Sequence, residues 1–276
     1  MGNNKVVTLS STKIIIMDRL ENLKNIIQYL MDDEHVCYRI PSSLEERQRM
    51  IRALSNVWEP REISPDFLTM QDAELQQQAE DKGVVTMDDM AEADSNLLLW
   101  QGDITRLKVD AIVNAANAKG LGCWSPLHNC IDNCIHSSAG IQLRKECNDQ
   151  LQGRLLNTGE AMITKGYNLP AKHVIHTVGP IIPQFSLPTK AQEEQLASCY
   201  RSCLAIADAN HLQSIAFCCI STGVFNFPNQ RAAEIAIATV KEWISAHQES
   251  SITQIVFNVF LDKDYDIYHQ WIRFNN

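Results

Sequence analysis

The sequence predicts an α/β fold preceded by a helical segment. Before residue 97, apolar residues recur with helical spacing; after it, short apolar runs alternate with helical stretches. Such alternation is typical of a layered sheet covered by helices on both faces. With 276 residues, 45% of them hydrophobic, the chain can bury a substantial core. We therefore predict a helical extension at 1–96 and an α/β domain at 97–276.

Three helices are predicted in the extension, over 18–33, after Ser43 and after Ser64. The first repeats leucine and isoleucine with helical spacing. The second opens with a capping box in which Glu46 is the partner of the serine, and the third has proline at its first position. Polar residues 86–96 are expected to connect the extension to the α/β domain.

The α/β domain is predicted to contain six strands, three helical stretches and one long loop. The strands are expected at 97–100, 111–117, 160–167, 172–179, 214–220 and 254–260. The helical stretches are expected near 130–151, 190–210 and 229–247, and the loop at 180–189.

Charge and cysteine usage restrict the class of protein. The formal net charge of −9 argues against nucleic acid as a partner. No run approaches the roughly 18–20 apolar residues that a membrane-spanning helix needs, so we expect no membrane association. Nine unevenly spread cysteines do not resemble a small secreted disulfide scaffold. We expect a cytoplasmic protein in a reducing compartment, with one metal or reactive cluster.

Polar residues lie at the carboxyl ends of the first two predicted strands of the α/β domain. Asn114 and Asn117 lie at the carboxyl end of a buried strand, where open α/β sheets place ligands. Gly102-Asp103-Ile104-Thr105 turns away from the preceding strand. Taken singly, Asp103 could cap a turn and the asparagines could bond to local backbone.

A glycine-containing loop follows the fifth predicted strand. The segment STGVFNFP at 221–228 lies between a buried strand and a helix that is expected to begin near Asn229. Clustered backbone N–H groups and the helix dipole at such a junction favour a pyrophosphate.

The densest cluster of metal-binding side chains is GLGCWSPLHNCIDNCIH, which begins at Gly120. Cys123, His128 and Cys130 have the spacing C-x4-H-x-C, which suits tetrahedral zinc. Three protein ligands would leave the fourth position open, as in catalytic zinc sites. Two alternatives remain: Cys134 could close the site as a fourth ligand and make the zinc structural, or the cysteines could be small buried groups without metal.

Three ordered stretches resemble the macrodomain family, whose members bind ADP-ribose and often hydrolyse ADP-ribosyl linkages. GDIT followed by VDAIVNAAN, at 102–117, resembles the opening of the domain. IDNCIHSSAG, at 131–140, resembles the family pattern V-D-G-x-I-H-x-A-A-G. ISTGVFNFP, at 220–228, resembles the phosphate loop S-x-G-x-[YF]-G-x-P, except that Asn226 replaces a glycine. The resemblance implies a three-layer α/β/α macrodomain with a mixed central sheet.

The resemblance also implies ligand contacts. Asp103 and the Ile104 backbone would meet adenine, the phosphate loop would hold pyrophosphate and ribose, and the asparagines would face the distal ribose. The implied ADP-ribose-binding residues are Asp103, Ile104, Asn114, Asn117, Gly122, Ser221, Thr222, Gly223, Val224 and Phe225. Phe260 or Tyr265 would stack on adenine.

The cysteine-rich insertion resembles the zinc-containing branch of macrodomains, which includes sirtuin-linked members with helical extensions. This implies one Zn²⁺ per chain, held by Cys123, His128 and Cys130. Asp132 and Asn117 are the implied catalytic residues, with Asp132 orienting or deprotonating water.

The expected function is a zinc-dependent hydrolase that removes mono-ADP-ribose from proteins, acting as a monomer. One alternative is a reader module that binds ADP-ribose without turnover and whose zinc is structural. Another is a hydrolase of a small ADP-ribose derivative.

Overall fold

The structure, a computed structural model, describes residues 4–94 and 96–274 of the chain, with side chains at 18–90 and 96–272. The helices are α1 Asn4–Asp33, α2 Leu44–Val57, α3 Pro65–Lys82, α4 Ile131–Ala139, α5 Ile141–Leu151, α6 Lys190–Ala209, α7 Asn229–Ala246 and α8 Asp262–Phe274. The strands are β1 Ala91–Asp94, β2 Leu97–Gln101, β3 Ala111–Ala115, β4 Ala161–Lys165, β5 His173–Thr177, β6 Ser214–Phe217 and β7 Gln254–Val259.

The strands form one mixed, 7-stranded sheet in the order β1-β2-β7-β6-β3-β5-β4. The five central strands run parallel, and the edge strands β1 and β4 pair antiparallel with β2 and β5. Helices α4, α5, α6 and α8 pack against strands of the sheet. The predicted α/β fold with a mixed central sheet is therefore confirmed.

Three features differ from the sequence-based expectations. The helical stretch predicted near 130–151 is two helices, because Gly140 adopts φ 101° at the end of α4. A Cβ at that position would lie 2.5 Å from Gln142 Oε1, so the break requires glycine. Strand β1 lies within 86–96, which was expected to be a connector, and α8 follows the last predicted strand.

The extension packs around its own apolar cluster, which reaches into the α/β domain. Helices α1, α2 and α3 contribute most of it, including the fully buried Phe67, and the fully buried Trp58 follows α2 directly. Ile141 of α5 belongs to the same cluster. Beside it, Gln71 of α3 accepts a hydrogen bond from the Ile141 backbone N–H at 3.1 Å. The extension is thus fastened to α5 by both apolar and polar contacts.

Within the described residues, none of the helices has the length and apolar character needed to cross a lipid bilayer.

Candidate active site

The carboxyl end of β3 brings three polar side chains together. Asn114 donates from Nδ2 to Asp132 Oδ1 at 2.7 Å. Asn117, three residues further along, donates to Asp132 Oδ2 at 3.2 Å and to the Gly122 carbonyl at 3.0 Å. Each oxygen of the carboxylate therefore has its own amide donor. Asn117 also links this carboxylate to the residue that precedes Cys123.

Asp132 is buried in the first turn of α4, with 5% of its surface exposed. Burial raises its pKa to about 6, although the hydrogen bond from Asn114, the charge of Arg144 and the bond from Asn117 oppose the shift. His136, one helical turn later, places Nε2 3.6 Å from Asp132 Oδ1. Burial lowers the pKa of His136 well below its ordinary value, so its imidazole is neutral.

The side chains of Cys123, His128 and Cys130 converge. One ligand atom from each residue lies within 4.8 Å of those of the others, and Cys123 Sγ is 3.8 Å from His128 Nδ1. Two sulfurs and one imidazole nitrogen form a donor set that suits zinc. Burial raises the pKa of the Cys130 thiol to about 12, so a cation entering this site would have to displace the thiol proton.

Cys134 does not join this group of ligand atoms. Its Sγ instead lies 3.7 Å from Arg52 Nη2, on the side of α4 that faces α2. The alternative in which Cys134 closes the site therefore finds no support in the geometry. Three converging ligands leave room for a fourth from solvent or substrate.

A second convergent group, His136, Cys147 and His176, is buried. Thr164 Oγ1 lies 2.9 Å from His176 Nε2, and Asn114 Nδ2 lies 3.1 Å from His176 Nδ1, so both ring nitrogens of His176 are engaged. Burial lowers the pKa of His176 to about 3 and raises that of the Cys147 thiol. These neutral groups form the floor of the site.

The loop 221–228, expected from the resemblance to bind phosphate, follows β6 and contains two left-handed residues, Ser221 at φ 66° and Asn226 at φ 57°. Asparagine tolerates this conformation better than most residues do, which explains how Asn226 can replace the glycine of the family pattern. The Phe227 N–H donates to the Ser221 carbonyl at 2.9 Å and closes the loop. The Ser221 hydroxyl is buried and has no hydrogen-bond partner among the described residues.

Gly179, at the end of the β5 segment, makes room for this loop. A Cβ at that position would lie 2.0 Å from Ser221 Oγ and 2.9 Å from Ile220 Cγ2. The close approach requires glycine, and it fixes the position of Ser221 relative to β5.

Asp103 begins the short 3₁₀ turn Ile104–Arg106. Its Oδ1 accepts hydrogen bonds from the Thr105 N–H at 3.0 Å and from the Thr105 hydroxyl at 2.7 Å. Its Oδ2 lies 3.7 Å from Nζ of Lys82, the last residue of α3. The turn-capping role considered from the sequence is therefore real, and one carboxylate oxygen remains available for a ligand.

The two aromatic candidates for the adenine end differ in exposure. Phe260, just after β7, has 71% of its surface exposed. Tyr265 is partly buried against the core and stacks on His269, with ring centroids 5.8 Å apart. Only Phe260 therefore offers a largely free ring face.

Sequence reasoning missed the contacts that the extension makes with the loop 123–130, which carries the three candidate metal ligands. Arg52 and Asn56 of α2 form hydrogen bonds with backbone groups of residues 127 and 128. Arg144 of α5 lies over the Trp124 ring, 4.2 Å from its centroid. These partners are far apart in the sequence, and no local spacing pattern marks them.

Comparisons with known proteins identify the family of the chain. The family model described as Macro domain matches residues 113–236. A protein-ADP-ribose hydrolase of Staphylococcus aureus is 44% identical over 262 residues, covering 92% of this chain and 97% of that protein. Another, from Treponema medium, is 46% identical over 253 residues, covering 89% and 95%.

Among solved structures, the Trypanosoma brucei macrodomain in complex with ADP-ribose superposes with a TM-score of 0.62 at 29% identity. The match covers 84% of this chain and 97% of that one. The fold, the family model and the relatives agree: the chain belongs to the macrodomain family.

Proposed function

We propose that the protein is a zinc-dependent hydrolase that removes mono-ADP-ribose from ADP-ribosylated proteins. Its relatives from Staphylococcus aureus and Treponema medium are named protein-ADP-ribose hydrolases. The observation that carries the proposal is the pair of hydrogen bonds from Asn117. They join the Asp132 carboxylate to Gly122, and hence to the loop of Cys123. A reader module would need no such carboxylate beside a set of metal ligands.

In the proposed complex, adenine lies at Asp103 and Ile104, with Phe260 as the stacking ring because its face is exposed. The pyrophosphate lies on the loop from Ser221 to Phe225, where the unpartnered Ser221 hydroxyl can donate to it. The distal ribose then lies between Asp132 and the loop of metal ligands.

The donor set fits zinc, because thiolate and imidazole are the ligands that zinc prefers and their atoms lie within 4.8 Å of one another. Cys123, His128 and Cys130 would hold the ion. When bound there, zinc would supply a Lewis acid beside the distal ribose.

Asp132 is the proposed proton acceptor. A water molecule attacks the anomeric carbon of the distal ribose and passes a proton to the carboxylate, while the bond from that carbon to the protein side chain breaks. The departing side chain takes up a proton from water, and Asp132 returns the proton it accepted to water, so the carboxylate is restored. Positive charge that develops on the ribose is stabilised by the carboxylate and by the pyrophosphate. Asn114 and Asn117 hold the carboxylate in place through its two oxygens.

The test is release of ADP-ribose from a mono-ADP-ribosylated protein by zinc-loaded and by chelator-treated enzyme. Circular dichroism would check that the treated enzyme remains folded. Release should vanish on treatment and return with zinc. Cys123→Ser should lower the rate at least about 100-fold, the loss expected when Lewis-acid help is removed. Cys37→Ser, which changes an exposed cysteine of the extension, should have no effect.

Three outcomes would contradict the proposal. Equal release without zinc would remove the metal from the reaction. Tight ADP-ribose binding with no release would make the protein a reader with structural zinc. Much faster turnover of a small ADP-ribose derivative than of modified protein would change the substrate class.

A further inference from the structure

The loop that carries the metal ligands, residues 123–130, has no helix or strand of its own. Its residues are partly or fully exposed, and Leu127 adopts φ 60°, a left-handed conformation unusual for leucine. The His128 N–H bonds to the Ser125 carbonyl at 3.2 Å within the loop. The Cys130 N–H also donates to His128 Nδ1 at 3.3 Å. These two bonds constrain only residues 125–130, so contacts from outside contribute to the shape of the whole loop.

Helix α2 of the extension supplies two of these contacts. Asn56 Oδ1 accepts a hydrogen bond from the Leu127 N–H at 2.9 Å. Arg52 Nη2 donates to the His128 carbonyl at 2.8 Å. The two residues are four apart and therefore lie on one face of α2.

Both side chains are held in place by further bonds. Asn56 has 1% of its surface exposed, and its Nδ2 donates to Ser137 Oγ at 3.0 Å. Arg52 also donates to Asn133 Oδ1, from Nε at 3.1 Å and from Nη2 at 2.8 Å. Each side chain thus reaches the loop from a fixed position.

The same network continues on the other side of the loop. Asn133, which accepts from Arg52, donates to the Ser125 carbonyl at 3.0 Å. Arg144 donates to the Cys123 carbonyl at 3.4 Å. Backbone groups at the start, middle and end of the ligand loop are therefore bonded to side chains from α2, α4 and α5.

We propose that Arg52 and Asn56 are positioning residues that hold the 123–130 loop in the shape in which its metal ligands converge and meet the distal ribose. The inference rests on the proposed zinc-dependent function and extends it, because it gives the helical extension a part in the reaction. A loop that is already ordered loses less conformational entropy when it binds its metal and substrate. Partners behind metal ligands commonly change affinity or activity by about 10–100-fold.

The test compares Arg52→Ala and Asn56→Ala with Arg49→Ala, which removes an exposed arginine of the same helix. Zinc affinity is measured by competition with a chromophoric chelator. Arg52→Ala and Asn56→Ala should bind zinc about 10–100-fold more weakly than the unaltered protein. Arg49→Ala should bind it normally. Arg52→Lys keeps one donor for the His128 carbonyl and should recover part of the loss.

A second measurement separates positioning from general damage to the fold. ADP lacks the distal ribose, so its binding depends on contacts to adenine, the adenosine ribose and the phosphates, none of which lies at the loop 123–130 in the proposed complex. Arg52→Ala should bind ADP as the unaltered protein does, and should lose affinity for ADP-ribose in the zinc-loaded state. Its kcat on modified protein should fall together with its zinc affinity.

The outcomes distinguish this inference from the proposed function. If the unaltered protein takes up no zinc, the zinc function is wrong and the positioning role falls with it. If it binds zinc, and Arg52→Ala and Asn56→Ala bind equally well, only the positioning role is wrong. If both variants lose ADP affinity, ADP-ribose affinity and thermal stability together, Arg52 and Asn56 support the fold in general and do not position the loop.

Discussion

Replacing Asp103 with asparagine should change which base the protein prefers. In the structure, Oδ1 of Asp103 accepts two hydrogen bonds from Thr105, whose backbone N–H can only donate. The asparagine carbonyl must therefore stay on that side, and the new amide nitrogen takes the position of Oδ2. The exocyclic amine of adenine, itself a donor, would then face a donor instead of a carboxylate.

The size of the effect follows from the bond that is lost. A hydrogen bond to a charged group contributes about 1.5–3 kcal/mol, and about 1.4 kcal/mol corresponds to a tenfold change in affinity. We therefore expect Asp103→Asn to bind ADP-ribose about 10–100-fold more weakly. The hypoxanthine analogue carries a carbonyl in place of the amine, so its affinity should rise relative to that of ADP-ribose.

Calorimetric titration of both proteins with both ligands measures this change in preference. Because the bonds to Thr105 remain, the melting temperature should be nearly unchanged. Asp66→Asn, an exposed change at the start of α3, serves as the control for the substitution itself. The reasoning is refuted if Asp103→Asn binds ADP-ribose with unaltered affinity, or if both ligands lose affinity equally.

Three further substitutions test other parts of the structure. Gly179→Ala places a Cβ 2.0 Å from Ser221 Oγ, so it should lower ADP-ribose affinity and cost about 1–3 kcal/mol of unfolding free energy, measured by urea titration. The control Gly223→Ala, whose Cβ would have nothing within 4 Å, should leave the unfolding free energy unchanged. Equal stability of the two variants would contradict the prediction. Asp132→Ala should lower kcat about 100-fold or more, because a general base typically accelerates a reaction about 10²–10⁴-fold. An unchanged rate of ADP-ribose release in a single turnover would exclude Asp132 as the base. Phe67→Ala, at 0% exposure, should cost about 3–5 kcal/mol by urea denaturation; a loss under 1 kcal/mol would mean that the extension core is loosely packed.

The sheet was largely predictable because its central strands are short, apolar and almost entirely buried. The six predicted strands correspond to β2 through β7. Strand β1, Ala91–Asp94, could not be predicted in this way because it is the polar segment AEAD at a sheet edge. The break at Gly140 was also hidden, since the helical pattern continues on both sides and only the backbone conformation, φ 101°, requires glycine there.

The metal-ligand set could be proposed from sequence because its members lie within eight residues, and few roles besides metal binding place two cysteines and a histidine at this spacing. Its ligation of zinc stays a prediction. The contacts of Arg52 and Asn56 could not be found in the same way. They span 76 residues to His128 and 71 to Leu127, and an arginine and an asparagine on a surface helix usually indicate only solvation.

Arg144 of α5 joins the α/β domain to the extension through a buried charge. Its guanidinium is buried and donates to the carbonyls of Asn56 and Trp58, each at 2.9 Å, at the carboxyl end of α2. Burial lowers the pKa of this guanidinium, so the charge is costly wherever those carbonyls are missing. Unfolding the extension alone would break both of these hydrogen bonds and would expose Ile141. The two parts should therefore unfold in a single cooperative transition. A substitution that destabilises one part should then lower the unfolding free energy of the whole chain.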